Sequence, residues 1–174
     1  MKNLKENIKL GISEAVASLL GLLAVIFTFI PAYFEDGQED MSIFQIMAGN
    51  ERVDSSPLLV FGFVFLIIGV VIAIALTVLL FLNKSNNVIT TCGAIASIVT
   101  ILIGAVILTC SIFITGLDKI HSELGLVQGS WGFLAGNFLV PISALLSIVA
   151  SYPSAMIILH HQDLKDKTAK SEQN

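Results

Sequence analysis

Four long oily blocks dominate the chain and restrict what it can become. They run from about Leu10 to Phe34, Pro57 to Leu82, about Val88 to Thr115, and Trp131 to Leu159. Each holds roughly 25 to 29 residues, so as a helix each would reach ~37–44 Å, more than the ~30 Å hydrocarbon core of a bilayer. A soluble helix is seldom this long and apolar on every face. With 55% of 174 residues hydrophobic and 13% charged, a water-surrounded domain could not hide its apolar surface. The sequence therefore predicts an all-α membrane protein, a four-transmembrane-helix antiparallel bundle. Residues 1–161 would form one membrane domain, and residues 162–174 a polar cytoplasmic tail that is frayed or disordered. The first block is too long for the h-region of a cleaved signal peptide and lacks a small-residue cleavage site, so it is expected to be retained.

The flanking cations set an orientation. Lys2, Lys5, Lys9, Lys84, Lys165, Lys167 and Lys170 fall on one side, and Arg52 and Lys119 on the other. The positive-inside rule then places both termini in the cytoplasm of a plasma-membrane protein. Net charge, −4, carries little meaning when charge is divided by side.

The segment "YFEDGQEDMSIFQIMAGNERVD" (Tyr33–Asp54) carries six carboxylates and one cation between the first two blocks. An EF-hand loop counted from Asp40 would put Glu51 in the twelfth place, yet Phe44, Gln45 and Ile46 occupy positions five to seven, where a ligand, a glycine and another ligand belong. Glu35, Asp36, Glu39 and Asp40 could form a looser cation site; a solvated loop is the simpler reading. The second half is too apolar for a free loop. Ser42 and Gln45 have capping-box spacing, so Met41–Met47 is expected to form a short helix or extended piece, ended by Gly49-Asn50, that lies on the membrane surface or over the bundle's outer end as a lid. Phe44 and Met47 on this lid are candidate partner-binding residues.

Small residues at helical spacing mark where membrane helices can approach. Span one has Ala17, Gly21, Ala24 and Thr28. Span two has Gly62, Gly69, Ala73 and Thr77, and span three has Ala96, Thr100 and Gly104. Span four has Gly132, Gly136, Ser143, Ser147, Ser151 and Ala155. These stripes can pack internally, or one can be kept for a partner; the span-four stripe (Gly132, Gly136, Ser143, Ser147, Ser151) is the best candidate for the second use. Ser55-Ser56-Pro57 is a helix start. Ser130 would cap span four in the same way, Pro141 would kink it, and Tyr33 and Trp131 suit a membrane interface. Cys92 and Cys110 lie ~27 Å apart along one helix, cannot bridge each other, and read as small buried residues.

Polar residues at depth are few. Glu14 is the acid within an apolar block, a candidate for transport by its cost in hydrocarbon, though its place near the start of the span suggests it snorkels to water. Asn137 is expected to hydrogen-bond between helices, and is otherwise the second candidate for a transport path. His160 and His161 lack metal-sharing spacing and suit a helix C-terminus. Gly129-Ser130-Trp131-Gly132 has no placed base, and there is no H-E-x-x-H, P-loop or paired intramembrane acid. No catalysis, cofactor, metal or nucleic-acid partner is therefore expected. The expected partners are the lipid bilayer and another membrane protein or a second copy of the chain.

The layout, with both ends inside, a longer first outer loop and a shorter second, resembles that of claudin-type tetraspan proteins, but the W-GLW motif and loop cysteines of that family are missing here. The Phe-containing "MSIFQIMAG" after the first span resembles uncharacterised small four-span bacterial proteins, which implies no activity. Eight lysines to one arginine, with many Ile and Asn, fit a low-G+C bacterium. The sequence therefore predicts an accessory or assembly protein, with a small-solute or ion transporter or an oligomeric pore as the alternative.

Overall fold

The computed structural model describes residues 2–35, 40–49, 54–115 and 131–158. Of Glu35, Trp131 and Gly132 it describes the backbone alone. Asp36, Glu39, Glu51, Arg52, Lys119, His121, Ser130, His160, His161 and the tail lie outside the described residues.

Four helices are long and apolar enough to cross a membrane: α1 (Lys2–Phe27), α3 (Pro57–Phe81), α4 (Asn87–Thr109) and α6 (Ala135–Ala155). Two short helices, α2 (Ile43–Ala48) and α5 (Ser111–Thr115), and three short strands, β1 (Pro31–Glu35), β2 (Met41–Ser42) and β3 (Trp131–Phe133), complete the described elements. The long helices pack as a ring in which α1 touches α3, α3 touches α4, α4 touches α6 and α6 returns to α1. Each presents a large apolar outer face, with Leu19, Phe61, Val99 and Val149 all exposed. Such a belt is unfavourable in water and matches lipid. The chain is a multi-pass, all-α membrane protein.

The α3–α4 pair is a tight hairpin. Pro57 starts α3 after Ser56, although the Ser56 hydroxyl makes no capping bond. Asn83 turns the chain with φ 55°, a conformation asparagine tolerates. The Asn86 side chain then accepts from Ile89 N–H at 2.8 Å and caps α4. At the crossing, a Cβ on Gly104 would stand 2.6 Å from both Gly62 O and Leu66 N, so the two backbones nearly touch. Ser97 Oγ donates to Gly69 O at 2.9 Å across the same seam.

A cap closes one end. β1 is the central strand of an antiparallel sheet ordered β2-β1-β3. It pairs Tyr33, Phe34 and Glu35 with Phe133, Gly132 and Trp131. Ser42 and Gln45 form the expected capping box at the start of α2, and Gly49, with φ 85°, ends that helix in a conformation that favours glycine. Phe44 N–H donates to Thr28 O, and Leu134 N–H to Ala32 O, so the cap is tied to the ends of α1 and α6. Beneath it Ile43, Ile46 and Met47 join Leu59, Leu66, Ile101 and Leu108 in one core cluster.

Several expectations need correction. α1 begins at Lys2 and stops at Phe27, because the chain bends at residues 28–30 and enters β1, with Pro31 at the strand's first position, where a missing N–H is tolerated. α6 begins at Ala135, since Trp131–Phe133 is strand. Span three breaks at Cys110. Its buried face carries Ala94, Ser97, Gly104 and Ala105, with Ala96 outside. Cys92 and Cys110 are free but exposed on the outer belt, not buried. Pro141 falls inside α6, within the span it was expected to kink.

Candidate functional site

The buried polar residues fall into two groups, one beneath the cap and one deep between α1 and α6. Beneath the cap, Tyr33 is 2% exposed, not a surface aromatic at a water interface. Its hydroxyl donates to Asn137 Oδ1 at 2.8 Å and lies 2.8 Å from Ser111 Oγ. Since the phenol has one hydrogen, Ser111 donates to it. Three elements, β1, α5 and α6, are thus fixed through one oxygen. Asn137 accepts from a strand residue, not from another spanning helix as expected.

The second group sits along the antiparallel α1–α6 seam. Ser13 Oγ donates to Ala150 O at 2.6 Å, and Ser147 Oγ to Ala17 O at 2.7 Å. Between these rungs Ser151 Oγ donates to Glu14 Oε2 at 3.0 Å. Small side chains let the helices come this close, and hydroxyl-to-carbonyl bonds satisfy what would otherwise be bare polar groups in oil. Thr91 of α4 reaches the same place, its hydroxyl 3.4 Å from Ser154 O.

Glu14 is 0% exposed. Snorkelling is excluded by the packing. Leu10, one turn before it, joins Leu76, Leu80 and Ile157 in an apolar cluster toward the end of the bundle that holds the N-terminus. The carboxyl is held behind that plug. Its Oε1 and the Ser154 hydroxyl are both buried, and Ser154 faces the same carboxyl, where its hydroxyl is placed to donate. Sequence reasoning singled out Glu14 but missed Ser154, which is absent from the four-residue series Ser143-Ser147-Ser151. The signal was available in "SYPS", which puts two serines three residues apart on one helical face.

Of the remaining candidates, Gly132 belongs to β3 and not to span four, and the others pack wholly or partly inside the molecule. Gly136 packs against main chain, where a Cβ would meet Ile30 O at 2.5 Å and Pro31 O at 2.8 Å. Ser143, Ser147 and Ser151 are buried. The span-four stripe is thus the contact surface for α1 and β1, which corrects its reading as a face kept for a partner. Met47 is buried, and Phe44 is half-buried and stacks on Phe29 at 4.6 Å between ring centres. The lid therefore spends its apolar residues on the core.

Outside the core, an apolar groove of about 230 Å³ opens between α4 and α6, lined by Leu102, Ala105, Val106, Pro141, Ala144 and Leu145, with Cys110 at one end. Among the described residues no three His, Cys, Asp or Glu side chains are grouped to hold a metal. No family model, curated protein or solved structure matches this chain.

Proposed function

We propose that the protein is a non-catalytic accessory or assembly subunit of the plasma membrane that packs sideways against a helix of another membrane protein. The observation that carries this is the groove between α4 and α6. Val106 and Leu145, each 55% exposed, stand beside the small residues Ala105 and Ala144. Concave apolar surface with small residues at its floor is the shape that admits a second helix, since association in lipid depends on close van der Waals contact. The bundle interior supports the same reading. Leu66, Ile101, Leu108 and Val140 fill the half beneath the cap, which leaves the core to packing. The lysine distribution puts both termini in the cytoplasm, so the cap would stand outside, and the lysine-rich composition suits a bacterial host.

Purification in mild detergent tests this. A partner membrane protein should accompany the wild-type chain, and Val106→Trp or Leu145→Trp, which fill the groove without touching the core, should release it while the protein still inserts. A wild-type chain that purifies alone, or a partner retained by both variants, overturns the reading.

Glu14 favours a second reading, a small transporter, because a buried intramembrane carboxyl is costly and is commonly kept for ion movement. Flux through liposomes holding the pure protein, lost in Glu14→Gln, would support it over the accessory role.

A further inference from the structure

At the end of the bundle that holds the N-terminus, the start of α1 faces the turn between α3 and α4. A cleft of about 710 Å³ opens there, within the ~300–1,000 Å³ usual for small-molecule sites. Glu6, Asn7, Asn83, Ser85, Asn86 and Asn87 line it, with Val88 as an apolar wall. Bonds within the chain decide what several of these side chains still offer. Asn7 Nδ2 donates to Asn83 Oδ1, and Asn86 Oδ1 accepts from Ile89 N–H at 2.8 Å. With those oxygens engaged, Asn83 and Asn86 offer their NH2 groups as donors, and Asn7 offers its carbonyl oxygen. Thr90 Oγ1 donates to Asn86 O at 2.9 Å and lies 2.6 Å from Ser85 Oγ. The Ser85 hydrogen therefore goes to Thr90, and its lone pairs can accept. The Glu6 carboxylate accepts only. The turn that carries most of these groups is pinned by Asn83 N–H to Leu80 O and Lys84 N–H to Leu79 O, so the set is held in place before any ligand arrives.

This mixture of donors and acceptors selects among ligand classes. A phosphate, which chiefly accepts, would meet the oxygens of Glu6, Asn7 and Ser85, and among the described residues no lysine or arginine lines the cleft to offset its charge. An ammonium, which only donates, would meet the NH2 groups of Asn83 and Asn86. A hydroxyl both donates and accepts, so neighbouring hydroxyls on one ligand serve the whole set. The surroundings indicate where such a ligand comes from. Phe81 and Leu82 at the end of α3 and Val88 at the start of α4 are all exposed, so the cleft opens beside surface suited to lipid chains. We propose that the cleft binds the neutral, polyhydroxylated headgroup of a membrane lipid, a glycosyl diacylglycerol by class, whose chains run along Leu82 and Val88. The site is separate from the α4–α6 groove and stands whether or not a partner occupies that groove.

The test is thermal unfolding of the full chain in a polyoxyethylene detergent, which carries no sugar. The additions are a glucosyl diacylglycerol, phosphatidic acid and phosphatidylethanolamine with the same acyl chains, and free glucose. Because a ligand that binds only the folded state raises its stability once its concentration passes Kd, the midpoint should climb with the glycolipid and stay flat with both phospholipids. Glucose, lacking chains, should need a far higher concentration. Asn83→Asp and Asn86→Asp each keep the oxygen that Asn7 or Ile89 uses but replace the NH2 donor with an acceptor. Asp tolerates the φ of 55° at position 83 and caps a helix as well as Asn does, so both variants should fold. Each should move the onset of the climb to about threefold to tenfold more glycolipid, the scale of one lost hydrogen bond. A flat glycolipid titration overturns the proposal, and so does an equal climb with either phospholipid. Glucose acting at the glycolipid's own concentrations overturns the lipid assignment in favour of a soluble sugar. A glycolipid response unchanged in both variants overturns the placement in this cleft.

Discussion

Tyr33 shows how much one hydroxyl can organise. Its oxygen serves Asn137 and Ser111 together, and all three side chains are buried. Tyr33→Phe keeps the ring against Phe133 but leaves Asn137 Oδ1 and Ser111 Oγ short of a partner in a dry place. The expected loss is about 1–3 kcal/mol, read as a lower unfolding midpoint in detergent, with the cap becoming the first site of proteolysis. An unchanged midpoint would mean that water replaces the phenol. This network was only half visible beforehand. Asn137 stood out as an amide in an apolar block, whereas Tyr33, by type and position, pointed to the membrane surface. Its burial depends on a strand pairing between residues about a hundred positions apart, which no local pattern encodes.

At the scale of elements, the glycines decide which helices meet. Gly104 lies against the backbone of α3, so its Cβ has nowhere to go. Gly104→Ala should therefore destabilise the bundle by about 1–3 kcal/mol, whereas Ala96→Leu on the exposed side of the same helix should change stability by less than ~0.5 kcal/mol. Comparing the two unfolding curves checks both; equal effects would place α3 and α4 further apart than described. Four spans, the capping box and the Pro57 start were legible, because each depends on composition or on residues within four positions of one another. The phase of span three was not, since Ala96, Thr100 and Gly104 match a helical stripe as well as Ala94, Ser97, Gly104 and Ala105 do. The sheet was missed because strands of two to five residues, flanked by longer apolar runs, carry too little alternation to separate from helix ends.

For the whole molecule, the even number of crossings is the property most open to a simple experiment. Tags at the N- and C-termini should share one side of the membrane, protected together from protease in right-side-out vesicles and cleaved together in inverted ones. Opposite protection would remove one of the four spans. The same geometry explains why the partner-facing expectation moved. Each of the four helices uses small residues to close the ring, α4 through Ala94, Ser97, Gly104 and Ala105, and what remains for others is the outer surface, where aliphatic side chains face lipid.

The pairing of β1 with β3 gives this ring a history as well as a shape. The strand that follows α1 cannot complete its hydrogen bonds until the residues just before α6 have been synthesised, and Glu14 gains Ser151 only then. A nascent chain stalled between those points carries an unpaired strand edge at one level of the bilayer and an unsolvated acid at another. Both are features by which an unfinished copy differs chemically from a finished one, so arrival of the last helix would be the event that makes the protein safe to leave its insertion machinery.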